Sequence, residues 1–136
     1  MPTTPRSLLV QLLRFDALLC AGMGLLLVLA AGLLGDLLDL PQSLLRGVGA
    51  GLLPWALLVW WLAQRAERAP RRAWVVIAGN ALWVIASVVL LLSTWVEPSV
   101  TGSAFLALQA MLVAALALMQ TQALRRPATV YQPTIT

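Results

Sequence analysis

Four apolar stretches, each about as long as a bilayer-spanning helix, constrain this chain more than any other feature. A helix of about 20 residues is needed to cross about 30 Å of hydrocarbon. The stretches lack the alternation of polar and apolar residues that a membrane β-barrel requires, so helix is the predicted state. The predicted spans cover residues 15–34, 44–63, 73–96 and 103–123.

The composition agrees with a membrane location. Of the 136 residues 61% are hydrophobic and 10% are charged, whereas a soluble domain carries about 25% charged residues. We therefore predict one integral membrane domain over residues 1–126, followed by a flexible tail over residues 127–136. Because the connections between spans are short, the predicted fold is all-α, an antiparallel four-helix bundle with consecutive spans adjacent.

The basic residues predict the topology. All nine are arginines, and the formal net charge is +4. In a four-span chain, eight arginines and two acidic residues fall on the side of the two termini, against one arginine and three acidic residues on the other. This imbalance predicts a multi-pass protein of the bacterial inner membrane with both termini in the cytoplasm. The arginines lie at the ends of apolar segments, which indicates topology rather than a nucleic-acid partner.

Several kinds of chemistry are excluded by residue types. The chain has no histidine and one cysteine, Cys20, so haem ligation by histidine, most zinc sites and paired-thiol redox chemistry are ruled out. No nucleotide-binding, hydrolase or metalloprotease motif occurs. We predict no metal, no cofactor and no enzyme activity, with a subunit of a membrane enzyme as the less favoured alternative.

Polar residues recur along one face of the third span. Asn80, Ser87 and Thr94 are spaced by seven residues, so they share a helical face, and Trp83 joins it. Because polar groups are costly in lipid, this seam should face the bundle interior. Gln109 in the fourth span is predicted to add another interhelical hydrogen bond.

Pro54 lies within the second span and predicts a kink there. The proline removes the hydrogen bond to the carbonyl of Ala50. Counting residues from the arginine-rich end places Ser87 at a similar depth, so its hydroxyl is predicted to donate to that carbonyl. Pro54 is therefore grouped with the structural seam of Ser87, Thr94 and Gln109.

The same counting, at about 1.5 Å per residue, places Trp55, Asn80 and Trp83 within one turn of each other in depth. It puts Gly22 of the first span at the level of Asn80. Two interpretations of this level stay open. The indoles and the amide either line a ligand-binding pocket or fill a packed core.

Asp16 is the one carboxyl group within a predicted span, two residues after Arg14. We expect it near the cytoplasmic interface. It is either solvated or paired with an arginine there, or it is a coupling carboxylate for a proton or another cation.

The segments RFDALLCAGMGLLLVLA, LLRGVGAGLLPWALLVWW and GNALWVIASVVLLL resemble uncharacterised small four-helix bacterial inner-membrane proteins. The resemblance implies a four-helix bundle and no particular activity. The favoured function is a non-catalytic bundle in the lipid bilayer that binds lipid, a partner membrane protein or a second copy of itself. The alternative is a small transporter or carrier of a hydrophobic or amphipathic ligand, with its site near Trp55, Asn80 and Trp83.

Overall fold

The computed structural model describes residues 5–126, which fold into α-helices joined by short connections. The predicted tail, residues 127–136, lies outside the described residues. A single 3₁₀ turn, Pro70–Arg72, precedes the fourth helix. The α-helices of the described part are α1 (Pro5–Leu29), α2 (Ala31–Leu38), α3 (Gln42–Arg65), α4 (Ala73–Leu92) and α5 (Val100–Arg125).

Four of these helices, α1, α3, α4 and α5, are long and apolar enough to cross a membrane. They pack in antiparallel pairs, α1 with α3 and α4 with α5, which confirms the predicted all-α class and the four apolar helices. Large apolar side chains cover the outer faces; Leu57 is 73% exposed and Leu82 is 66% exposed. Faces of this kind are suited to lipid contact.

The first long helix begins nearer the N-terminus than the predicted span does. Residues 15–34 were expected to cross the membrane, but α1 already begins at Pro5. The reason is that Leu9 and Leu13, ahead of the long apolar run, are fully buried in the core. The chain then bends at Ala30, and α2 occupies part of the predicted loop. As a result, Asp16 lies near the middle of α1.

Helix α2 closes the end of the bundle opposite the two described chain ends. It terminates at Asp39, which adopts the left-handed conformation with φ 56°, a conformation that aspartate tolerates better than most residues. The carbonyl of Leu38 accepts a hydrogen bond from the Ser99 backbone N–H (3.0 Å). Ser99 also caps α5, because its hydroxyl accepts from the Gly102 N–H at 3.1 Å. These bonds fix α2 against the start of α5.

The expected adjacency of consecutive spans holds only in part. Helix α1 packs against both α3 and α5, and α5 packs against α4, but α3 and α4 contact each other little. The four long helices are therefore arranged in the order α3, α1, α5, α4, with the side between α3 and α4 left open. A close crossing joins α1 and α3, where a Cβ at Gly49 would lie 2.7 Å from the Gly24 carbonyl oxygen.

Pro54 lies on the exposed side of α3, which continues as a helix from Gln42 to Arg65. The kink at Pro54 stays a prediction. Gly47 and Gly51 of α3 form a GxxxG step, a pattern that often allows close helix approach, but both glycines are exposed and a Cβ on either would meet open space. Gly49, between them, makes the close helix contact instead.

Candidate functional site

A cluster of three buried polar side chains, Asp16, Asn80 and Gln120, lies in the interior of the bundle. They come from α1, α4 and α5 and are at most 3% exposed. The Asn80 amide donates to Asp16 Oδ2 at 2.7 Å, and the Gln120 amide donates to the same oxygen at 2.8 Å. A weaker bond from Asn80 to Gln120 Oε1 measures 3.3 Å. We call this group the carboxyl cluster.

Within residues 5–126, no charged group contacts the Asp16 carboxyl. Its third partner is the Cys20 thiol, which donates to Oδ1 at 3.6 Å. A thiol is a weak donor, so Oδ2 is well satisfied whereas Oδ1 keeps most of its acceptor capacity. An amide-bound carboxyl without a cationic partner is rare inside a membrane and suggests a functional site.

Asp16 was predicted to lie near the cytoplasmic interface, solvated or paired with an arginine, and the second half of this prediction is wrong. Its depth was counted from residue 15, whereas α1 begins at Pro5, so Asp16 lies near the middle of the helix and is not its second residue. For the same reason Gly22 is not at the level of Asn80. Asp16 is there instead, and neither solvent nor an arginine pairs with it.

Gln120 was missed in the sequence analysis. A signal was present, because Gln109 and Gln120 are eleven residues apart and therefore lie on one face of α5. Gln109 was expected to hydrogen-bond between helices. The same spacing argument would have brought Gln120 into the interior with it.

A second polar group joins α4 and α5 farther from the chain termini. The Trp83 indole N–H donates to Gln109 Oε1 at 2.6 Å, and the Gln109 amide donates to the Ser87 hydroxyl at 2.9 Å. The Ser87 hydroxyl in turn donates to the Trp83 carbonyl at 2.9 Å. Its single proton is therefore used within α4, and the predicted bond to the Ala50 carbonyl is not made.

Thr94 is not part of this seam. Helix α4 ends at Leu92, two residues earlier, and Thr94 is exposed. Residues spaced by seven share a helical face only if the helix extends over all of them. Asn80 and Ser87 meet this condition and both are buried.

A cavity of about 460 Å³ adjoins the carboxyl cluster. The structure brings the three residues of the predicted site, Trp55, Asn80 and Trp83, together in its wall. The rest of the wall is mainly apolar. Other polar or sulfur-bearing side chains in the wall are Asp16, Cys20 and Gln109.

The cavity lies between the two helix pairs and faces the open side between α3 and α4. Gly47 and Gly51 of α3 and Leu82 of α4 line it, and all three are exposed. Trp55 bridges the two helices, and its ring packs so closely on Gly79 that a Cβ at that position would overlap it. The tryptophan therefore bounds the opening, and the exposed glycines leave space for a ligand to enter from the bilayer.

A second, smaller cavity of about 250 Å³ lies next to the first. The two cavities share part of their walls, including Met23, Trp83 and Gln109. Leu44 and Phe105 line the second cavity but not the first. The hydrogen-bonded pair of Trp83 and Gln109 thus stands between the first cavity, which Asp16 lines, and the second, which is lined mainly by leucines and a phenylalanine.

Arginine side chains stack on tryptophans at the opposite end of the bundle from α2. Arg65 lies 3.9 Å from the Trp61 ring centre. Longer contacts join Arg14 to Trp60 (6.0 Å) and Arg125 to Trp74 (5.8 Å). Indoles and snorkelling arginines are typical of a membrane–water interface.

Comparisons with protein families, with curated proteins and with solved structures give no match. Within the described residues, no group of three or more histidine, cysteine, aspartate or glutamate side chains could hold a metal ion. The fold and the hydropathy define a small multi-span helical membrane protein.

Proposed function

We propose that the protein binds a small amphipathic ligand taken from the bilayer and acts as a carrier for it. The observation that carries this proposal is the cavity of about 460 Å³, which faces the open side of the bundle and has Asp16 in its wall. Ligand sites are typically mainly apolar clefts with a few polar groups that fix orientation. The proposal therefore takes the predicted carrier function over the predicted partner-binding bundle, and it assigns a binding rather than a catalytic role.

The arginine–tryptophan pairs support a proposed orientation. They lie at the end where α1 and α4 begin and where α3 and α5 end. We place this end at the cytoplasmic interface of a bacterial inner membrane, with both termini in the cytoplasm, because arginines are enriched on that side. The ligand would then be held between the cytoplasmic interface and the α2 end.

The test fills the cavity without disturbing the helix contacts. In Gly51→Phe the new side chain starts from a position with open space around it, in the wall of the cavity. Gly22→Phe is the matched control, because Gly22 is also exposed with open space around it but lines neither cavity.

Both variants are extracted in mild detergent from the same membranes as the wild type and analysed by native mass spectrometry. We expect a bound small molecule on the wild type and on Gly22→Phe, and its loss from Gly51→Phe. The same pattern of adducts on all three proteins, or none on the wild type, would refute the proposal. The spectra also report whether the protein is a monomer or a homo-oligomer.

A further inference from the structure

We propose that the ligand is a single-chain alkylammonium, with its cationic head at Asp16 and its alkyl chain in the second cavity. This inference rests on the proposed binding function and adds the chemical class of the ligand. It follows from three observations: the carboxyl oxygen whose one partner is a weak thiol donor, the shared walls of the two cavities, and the depth that the cavities cover together.

The head group is assigned from the hydrogen-bond acceptor capacity that remains on the Asp16 carboxyl. Asp16 Oδ2 already accepts two amide hydrogen bonds, whereas Oδ1 accepts only from the Cys20 thiol at 3.6 Å. An ammonium N–H can therefore donate to Oδ1, and charge-assisted bonds of this kind are about twice as strong as neutral ones. An anionic head would be repelled by the carboxylate.

The surroundings of Oδ1 favour a cation over a neutral donor. Within residues 5–126 the carboxyl has no cationic partner, so a bound ammonium would not compete with an arginine. Trp55 and Trp83 also line this cavity, and indole faces attract cations, most strongly where water is excluded. The mainly apolar wall provides that exclusion.

The tail is assigned by the shape of the space. Asp16 lines the first cavity and Leu27 lines the second. These residues are eleven positions apart on α1, which corresponds to about 16 Å along the helix. A compact ligand would fill the first cavity only, whereas an alkyl chain can extend through both.

One part of the wall shared by the two cavities can move aside for such a chain. Met23 lines both cavities, and its unbranched side chain adapts readily to its neighbours. Trp83 is held by its hydrogen bond to Gln109, so the ring stays in place as a surface on which methylene groups pack. The Leu44 and Phe105 side chains beyond it provide an apolar environment for the chain end.

The experiment uses the full-length protein in detergent and three probes, dodecylamine, dodecanol and butylamine, with binding measured by native mass spectrometry titration. Dodecanol matches the chain without the charge, and butylamine matches the charge without the chain. We expect dodecylamine to bind the wild type at least about tenfold more tightly than either of the other two, as one desolvated charge contact or a buried chain would give.

Two variants test the assignment of the head group and that of the tail separately. Asp16→Asn keeps the shape of the side chain and should bring dodecylamine and dodecanol to similar affinity. Leu44→Trp fills the second cavity alone and should weaken dodecylamine binding while leaving butylamine binding unchanged. Gly22→Phe should behave as the wild type with all three probes.

The outcomes distinguish this inference from the proposed function. Equal affinities of the wild type for dodecylamine and dodecanol would overturn the ammonium assignment, and this comparison needs no variant to fold. An unchanged dodecylamine affinity in a folded Leu44→Trp protein would overturn the tail assignment. If Gly51→Phe abolishes binding in either case, the carrier proposal stands; if Gly51→Phe binds dodecylamine as the wild type does, both fail.

Discussion

The carboxyl cluster makes Asn80 a polar residue whose loss should destabilise the bundle. Its amide donates to Asp16 Oδ2 at 2.7 Å and to Gln120 Oε1 at 3.3 Å. Asn80→Ala removes both bonds at once. Three separate helices meet at this point, so the effect should appear in the unfolding of the whole bundle rather than in local fraying.

The expected loss in free energy of unfolding follows from these two hydrogen bonds. A hydrogen bond to a charged group contributes about 1.5–3 kcal/mol, and the longer, neutral bond to Gln120 about 0.5 kcal/mol. Alanine is the better helix former by up to about 0.7 kcal/mol, which offsets part of the loss. Membrane hydrogen bonds average about 0.6 kcal/mol, because unfolded helices find other partners in the bilayer. We therefore expect Asn80→Ala to lower the free energy of unfolding by about 1–3 kcal/mol.

The assay is equilibrium unfolding in mixed micelles, in which dodecyl sulfate is titrated and helix content is followed by circular dichroism. The matched control is Gln122→Ala, an amide on the exposed face of α5, for which a change within about 0.5 kcal/mol is expected. If both variants unfold at the same denaturant fraction as the wild type, the Asn80 hydrogen bonds do not stabilise the fold and the reasoning fails.

Three other predictions concern packing, capping and topology. Gly79→Ala places a Cβ against the Trp55 ring and should cost about 1–3 kcal/mol; adding Trp55→Leu should recover most of the loss, and a cost no greater than that of Gly22→Ala contradicts this contact. Ser99→Ala removes the cap of α5 and the hydroxyl's hydrogen bond to the Leu37 carbonyl and should cost about 1–2 kcal/mol, whereas Ser99→Thr, which keeps the hydroxyl, should retain most of the stability in the same titration. Reporter fusions at both termini should be active only on the cytoplasmic side, and a periplasmic signal from either end would refute the proposed orientation.

The candidate site was predictable in composition but not in arrangement. Trp55, Asn80 and Trp83 line one cavity, and counting residues from the arginine-rich ends of the spans had placed them at a common depth while leaving open whether a pocket or a packed core lies there. Asp16 was misplaced because its depth depends on where α1 begins, and hydropathy alone favoured the later, more apolar stretch. Burial of Leu9 and Leu13 by the rest of the bundle moved that start, and only tertiary packing supplies this information.

The order in which the helices pack was likewise predictable only in part from the sequence. Short connections predict that consecutive spans are neighbours, yet α3 and α4 leave a gap because α1 packs against both α3 and α5. The Gly24–Gly49 crossing brings α1 and α3 together. Several glycines were available for such a contact, and which of them meet depends on the rotation of each helix about its axis.

The sequence by itself determined that this chain has four helices long and apolar enough to cross a membrane, since backbone groups left unpaired in lipid allow no open strand or loop there. It also determined which side chains are too polar to face lipid. Tertiary structure decided which of those side chains meet. Three polar groups from three helices satisfy one another at Asp16, and the open side between α3 and α4 leaves a cavity beside them, because helix pairing is set by packing contacts far apart in the chain.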